Sequence, residues 1–234
     1  MLKKILFLIL PLNFICLLSI CQTDSLFYED FIDNTNNWNL VNNENLSSSI
    51  KKGKLTIKGK VDNTANAIWR PFYIDQDMDF TIVISIAQYG GETYSPFGII
   101  WGANGWDSFY SFMINSSYSY AIYRIRNNKQ HIIEDWEYSE ALYPKYFFNE
   151  LKIEKKEGYL LFYINNSIVY SMEYKTMYGI DFGIVLNDRS KVKVEFLKLK
   201  YHPLKELVSD PITDYDLKNV LIKTDSLQPL ISPV

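Results

Sequence analysis

From Asp79 to Arg126 the chain reads as successive strands separated by short polar turns, with apolar residues alternating at a period of two most clearly in the first. That period sends successive side chains to opposite faces, whereas a helical stripe recurs about every 3.6 residues. Asp79 to Gln88 is the cleanest case. Phe80, Ile82, Ile84 and Ile86 point one way, and Thr81, Val83, Ser85 and Ala87 the other. The second row is small and semi-apolar, which predicts a central strand covered on both faces. Gly90-Gly91 ends it. Phe97 to Arg126 then reads as an antiparallel meander of FGIIWG, DSFYSFMIN and SYAIYRIR, crowded with Trp101, Trp106, Tyr110, Tyr118, Tyr120 and Tyr123.

The same pattern continues outward. SSSIKKGKLTIKGK is a hairpin with Lys52-Gly53 at its turn, and Ala67 to Phe72 is a strand that Pro71 confines to an edge or a strand end. Asn127-Asn128 turns the chain into KQHIIEDW, while residues 137–148 do not alternate and read as a helical turn or a loop over a sheet edge. Asn149 to Tyr174 holds three strands separated by Glu157-Gly158 and Asn165-Asn166, and Asp181 to Leu186 and Lys191 to Tyr201 complete the set. In the last strand the apolar parity switches from Val192, Val194 and Phe196 to Leu197, Leu199 and Tyr201, the mark of a β-bulge near Phe196-Leu197. About a dozen short strands with no sustained helical period predict an all-β, two-sheet antiparallel sandwich.

The two ends differ from this body. Lys3 and Lys4 precede the apolar run Ile5 to Ile20, too short and too N-terminal to favour a permanent span over an export signal. Residues 1–21 are therefore read as a signal peptide, 22–202 as the sandwich domain and 203–234, with Pro203, Pro211, Pro229 and Pro233, as a C-terminal tail. Leu18-Ser19-Ile20-Cys21 resembles the lipobox of bacterial lipoproteins, which makes Cys21 the lipidated residue and places the protein at the cell envelope. Ile20 departs from the small residue usual before that Cys, so cleavage to a secreted product is the alternative. Both cysteines, Cys16 and Cys21, lie in this segment, leaving no thiol for a disulfide, a zinc site or a nucleophile beyond it. A net charge of −3 offers no electrostatic footprint for nucleic acid.

The order of pieces, FYEDFIDNTNNW, KKGKLTIKG, FTIVISI, the aromatic meander, NELKIEKKEGYLLFYINNSIVY and VKVEFLKLKY, resembles the concanavalin A-like lectin/glucanase superfamily. Within it, the laminin-G-like and 3-keto-disaccharide hydrolase-like jelly rolls of bacterial exported proteins are most similar. The likeness covers residues 26–202, and its most specific part is Asn149 to Val169, a strand, a turn and a strand ending in an Asn turn. It implies a jelly roll. That superfamily holds lectins, adhesion modules and glycosidases, so fold alone does not choose among them.

Retaining glycosidases of this fold carry Glu, apolar, Asp, apolar, Glu on one strand, which sets two carboxylates about 5 Å apart. No such segment exists here. The nearest is Glu134-Asp135-Trp136-Glu137, where Asp135 and Glu137 are weak catalytic candidates and a solvated turn is the simpler account. His131 and His202 lie in no ligand-spaced cluster or nucleophile elbow. Flat aromatic rings stack on sugar rings while polar neighbours orient the hydroxyls. The binding candidates are accordingly Trp101, Asn104, Trp106, Asp107, Tyr110, Tyr123, Arg124 and Trp136, with the loop WGANGWD foremost. The competing account is that these aromatics are core. No cofactor is implied. Asp30, Asp33, Asp181 and Asp188 leave room for a structural Ca²⁺ without a diagnostic spacing. The expected function is a lipid-anchored, non-catalytic module whose partner is a carbohydrate. The alternatives are a sugar-cleaving enzyme and a protein-interaction scaffold.

Overall fold

A computed structural model describes residues 25–202; the expected signal peptide with Cys21 and the expected tail 203–234 lie outside the described residues. Fourteen strands are present: β1 (Ser25–Glu29), β2 (Leu46–Ile50), β3 (Leu55–Gly59), β4 (Ala65–Pro71), β5 (Phe80–Gly90), β6 (Phe97–Ala103), β7 (Ser108–Asn115), β8 (Ser119–Arg126), β9 (Lys129–Tyr138), β10 (Asn149–Lys156), β11 (Tyr159–Ile164), β12 (Ser167–Glu173), β13 (Asp181–Asn187) and β14 (Lys191–Tyr201). They form two antiparallel sheets. One has eight strands in the order β12-β11-β10-β5-β14-β3-β2, with β1 added along β14; the other has six, β4-β13-β6-β7-β8-β9. This is the expected all-β jelly-roll sandwich.

The alternation explains the layering. β5 sits between β10 and β14, and its Phe80, Ile82, Ile84 and Ile86 are buried. They face Phe97, Ile99, Phe112, Ile114 and Ile122 of the meander across one continuous core. On its other side β5 is covered less completely than predicted, with Thr81 and Val83 only half-buried. Pro71 ends the edge strand β4, where a missing N–H leaves no ladder position empty.

The parity switch in β14 is a bulge at Glu195, between Val194 paired with Ile86 and Phe196 paired with Ser85, one residue before the expected pair. It turns Glu195 outward to meet Lys54 Nζ at 2.7 Å and the Ser85 hydroxyl at 3.2 Å. Residues 139–148 form a loop without a helix. Buried Asn149 holds it, accepting the Tyr143 N–H at 2.7 Å and donating to the Tyr143 carbonyl at 3.2 Å. Buried Glu29 closes the opposite end of the core, accepting the Phe31 N–H at 2.7 Å and the Trp38 indole N–H at 2.8 Å.

Candidate functional site

The outward face of the six-stranded sheet carries a second apolar cluster, separate from the core. In β7, Tyr110, Phe112 and Ile114 turn toward the other sheet, so Phe109, Ser111 and Met113 turn away. In β8 the same alternation sends Ala121, Tyr123 and Ile125 outward, and Ile100 and Val185 add to them from β6 and β13. Three tryptophans frame this cluster. Trp69 comes from the edge strand β4, Trp106 from the β6–β7 turn and Trp136 from the opposite edge strand β9. Trp69 and Trp106 lie 4.8 Å apart, Trp106 and Phe109 6.0 Å, and Tyr123 and Trp136 6.4 Å, all in tilted or edge-on arrangements. Gly183 lets β4 approach closely beneath Trp69: a Cβ there would sit 2.1 Å from the Ile68 carbonyl oxygen.

Polar groups sit among these rings. Asp181 shares the outward face of β13 with Gly183, the cross-strand partner of Trp69. Its carboxylate is half-buried, enters no ion pair among the described residues, and has its pKa raised by burial alone. The Ser111 hydroxyl is buried on the same face with no hydrogen-bond partner. At the far rim Asp135 is exposed; burial first, and then the Asp135 charge, push the Tyr123 phenol well above its ordinary range. Half-buried indole rings beside a carboxylate outside any described ion pair suit a ligand that has an apolar ring face and a hydroxyl edge.

The expected residues divide between two sides of the sheet. Trp106, Tyr123 and Trp136 come together on the outward face. Tyr123 is itself buried, 1% exposed, which corrects its assignment as a stacking surface and leaves the half-buried Trp106 and Trp136. Trp101 and Tyr110 do not reach that face: both are buried between the sheets, which corrects their assignment as ligand-stacking surfaces. Trp101 stacks on Tyr110 at 5.3 Å and packs on Phe162 at 5.7 Å, and Tyr110 stacks on Tyr178 at 5.1 Å. The reason is parity. Trp101 follows Phe97 and Ile99 on the inward row, and the turn through Gly102 and Gly105, both at positive φ, brings Trp106 out on the other side. Asn104 and Asp107 are exposed in that turn.

Arg124 also leaves the set. It stands directly opposite Tyr110 and His131, on the inward side at the open edge of the sandwich. There it lines a cleft of about 350 Å³ with Met172, Glu173 and Lys175, its Nε buried without a partner. The expectation that Asp135 and Glu137 share a face meets a strand with two register shifts around Ile122. Glu137 stands opposite inward-facing Tyr120, whereas Asp135 acts on outward-facing Tyr123, and both carboxylates are exposed. The four aspartates considered for Ca²⁺ also stay apart. Asp30 and Asp33 accept N–H groups within their own loop, and Asp188 accepts the Asn63 N–H at 3.0 Å. No group of three acidic, His or Cys ligands forms among the described residues. Trp69, the member the sequence reading omitted, carried a signal in the alternation of AIWRPF, where it points opposite to Ile68.

No family profile matches the chain, and no curated protein matches it. Solved structures do share its fold. A GH43 protein, BlXynB, from Bacillus licheniformis superposes with a TM-score of 0.54 at 12% identity, over 74% of this chain and 39% of its own. A xylan β-1,4-xylosidase from Bacillus halodurans gives 0.54 at 10% identity over 74% and 38%, so this chain spans about two-fifths of either enzyme. A β-glucanase from Bacillus licheniformis gives 0.52 at 8% identity over 74% and 97%. At these identities the likeness establishes the sandwich fold.

Proposed function

We propose that this protein is an exported, lipid-anchored, non-catalytic module that binds carbohydrate at the cell envelope. The observation that carries the reading is the outward face of the six-stranded sheet, where Trp69, Trp106 and Trp136 surround an apolar floor and the unpaired carboxylate of Asp181 lies beside them. Indole rings take the apolar face of a pyranose, and the half-buried Asp181 carboxylate accepts hydrogen bonds from its hydroxyls. Carbohydrate as the ligand class is in keeping with fold neighbours named a xylan β-1,4-xylosidase and a β-glucanase.

A sugar-cleaving role fares worse on geometry. Asp181 on β13 and Asp135 on β9 stand four strand spacings apart, about 19 Å at roughly 4.8 Å each. Retaining and inverting glycosidases need about 5 and 6.5–9.5 Å. The test is a titration of intrinsic tryptophan fluorescence with xylo- and gluco-oligosaccharides, backed by a glycan array. Saturable quenching lost in Trp106→Ala is the expected result, and a flat response to every glycan would sink the carbohydrate reading. The mass of the processed N-terminus tests the lipid on Cys21 separately.

A further inference from the structure

The outward face of the eight-stranded sheet is dressed quite differently. β14 alternates inward Val192, Val194, Leu197 and Leu199 with outward Lys191, Lys193, Lys198 and Lys200. Across the ladder Lys191 stands directly opposite Lys58 of β3, a like-charge pair that a lone sheet surface disfavours. Further along, Tyr163, Lys152, Val83, Lys198 and Tyr28 form one cross-strand row over five strands. The acids on this face are few. Glu195 is held by Lys54 at 2.7 Å and Glu154 by Lys152 at 3.3 Å. Asp79 and Glu154 line one cleft with Lys200, and Glu150 and Glu173 complete the acids of these strands on this face. A chain of net charge −3 thus gathers positive charge on one flat side.

Aromatic rings hold three of the lysine ammonium groups in place. Lys152 lies 3.6 Å over Tyr163, Lys193 4.1 Å over Tyr89 and Lys198 4.6 Å over Phe196. In each pair the ammonium nitrogen itself stands over the ring, a cation–π contact that fixes the positive charge on this side of the sheet. Exposed apolar residues edge the face: Leu26, 71% exposed, and Tyr28, 49%, stand on β1 directly opposite Lys200 and Lys198, and Tyr159 and Ile168 stand at the other edge on β11 and β12. β1 begins at Ser25, four residues after Cys21, a link of at most about 14 Å.

We propose that this face docks on an anionic lipid bilayer, with the lysines of β14 and β3 on the headgroups and Leu26 and Tyr28 at the interface. A flat array of cations with an apolar edge beside the chain's entry point matches a planar anionic surface. Docking this way turns the tryptophan face of the other sheet away from the membrane. The lipid on Cys21 fits this orientation, and the experiment below does not need it.

The full chain is reconstituted on vesicles of phosphatidylcholine alone or with added phosphatidylglycerol. Its lysines are then labelled with a membrane-impermeant amine reagent and read by mass spectrometry. Labelling of Lys58, Lys193 and Lys198 is expected to fall several-fold on the anionic vesicles and to recover at high salt, where the screening length shrinks to about 3 Å at 1 M. Lys129, on β9 of the other sheet, stays reactive throughout. The Lys193→Glu/Lys198→Glu double variant, with its fold checked by circular dichroism, loses the protection at Lys58. Labelling that does not depend on phosphatidylglycerol overturns the proposal. So does protection conferred by soluble polyglucuronate and not by vesicles, which reassigns the face to an anionic glycan. Neither outcome bears on sugar binding by the tryptophan face, which the fluorescence titration reads independently.

Discussion

The two outward faces of this sandwich are built from the same period-two strands and share almost no chemistry. On the six-stranded sheet, outward positions are Phe109, Met113, Tyr123 and Ile125, framed by tryptophans. On the eight-stranded sheet they are lysines laid over tyrosines and phenylalanines. Between them lies one core, whose inward rows are Ile, Val, Leu and Phe with Trp101, Tyr110 and Tyr120 among them. Alternation therefore dictates which residues face the shared core, while the outward row of the six-stranded sheet is itself buried and leaves the half-buried tryptophans around it as its accessible part. Substitutions that separate inward from outward aromatics are the sharpest way to break this comparison.

The largest effect belongs to the core. Trp101→Ala removes a fully buried ring that touches Tyr110 and Phe162, and should cost about 3–5 kcal/mol in denaturant unfolding. Gly98→Ala, where a Cβ would sit 2.0 Å from the Phe112 carbonyl oxygen, should destabilise through backbone displacement by an amount of the same order, about 2–4 kcal/mol. Neither should change glycan affinity measured well below the unfolding midpoint. A Trp101→Ala protein that keeps its stability and loses sugar binding would reverse the inward assignment.

Next come the outward tryptophans. Trp106→Ala and Trp136→Ala remove half-buried rings from the frame, and should cost about 1–2 kcal/mol of stability. Each should weaken glycan binding tenfold or more, about 1.4 kcal/mol. Trp69→Ala, through its 4.8 Å contact with Trp106, should act non-additively with Trp106→Ala in a double-mutant cycle. Strict additivity would separate the two rings functionally.

This division was only partly legible in the sequence. The strands, their turns and the inward rows of β5, β7 and β10 follow from local alternation, which needs no knowledge of partners. The bulge in β14 was visible for the same reason, since one inserted residue flips every later side chain. What local pattern does not carry is which strand lies beside which. Trp69 joins the frame because β4 pairs with β13, more than a hundred residues later, and Asp181 arrives on the same face by that pairing. The two tryptophans of WGANGWD look equivalent in sequence, yet Gly102 and Gly105 turn the chain between them to opposite sides of the sheet. The register shifts of β9 around Ile122 are likewise invisible in the alternation, which treats Asp135 and Glu137 as residues of a regular strand.

The smallest effect is the most discriminating, and it rests on Asp181. Burial raises its folded pKa above the ordinary 3.8, so the folded state holds the proton more tightly than the unfolded chain. A raised carboxylate contributes stability fully below its unfolded pKa, and that contribution is lost as pH rises through the folded value. At neutral pH the buried charge is thus a modest liability, reduced because the group is only half-buried. Asp181→Asn should leave stability at pH 7 unchanged or raise it by a few tenths of a kcal/mol, and should flatten the melting temperature between pH 4 and the raised pKa. If the carboxylate accepts ligand hydroxyls, the same substitution weakens glycan binding, and wild-type affinity falls as acid protonates Asp181. A variant that gains stability and loses affinity marks a group held unpaired for a ligand. One that gains stability with affinity intact leaves the tryptophan frame to bind without it.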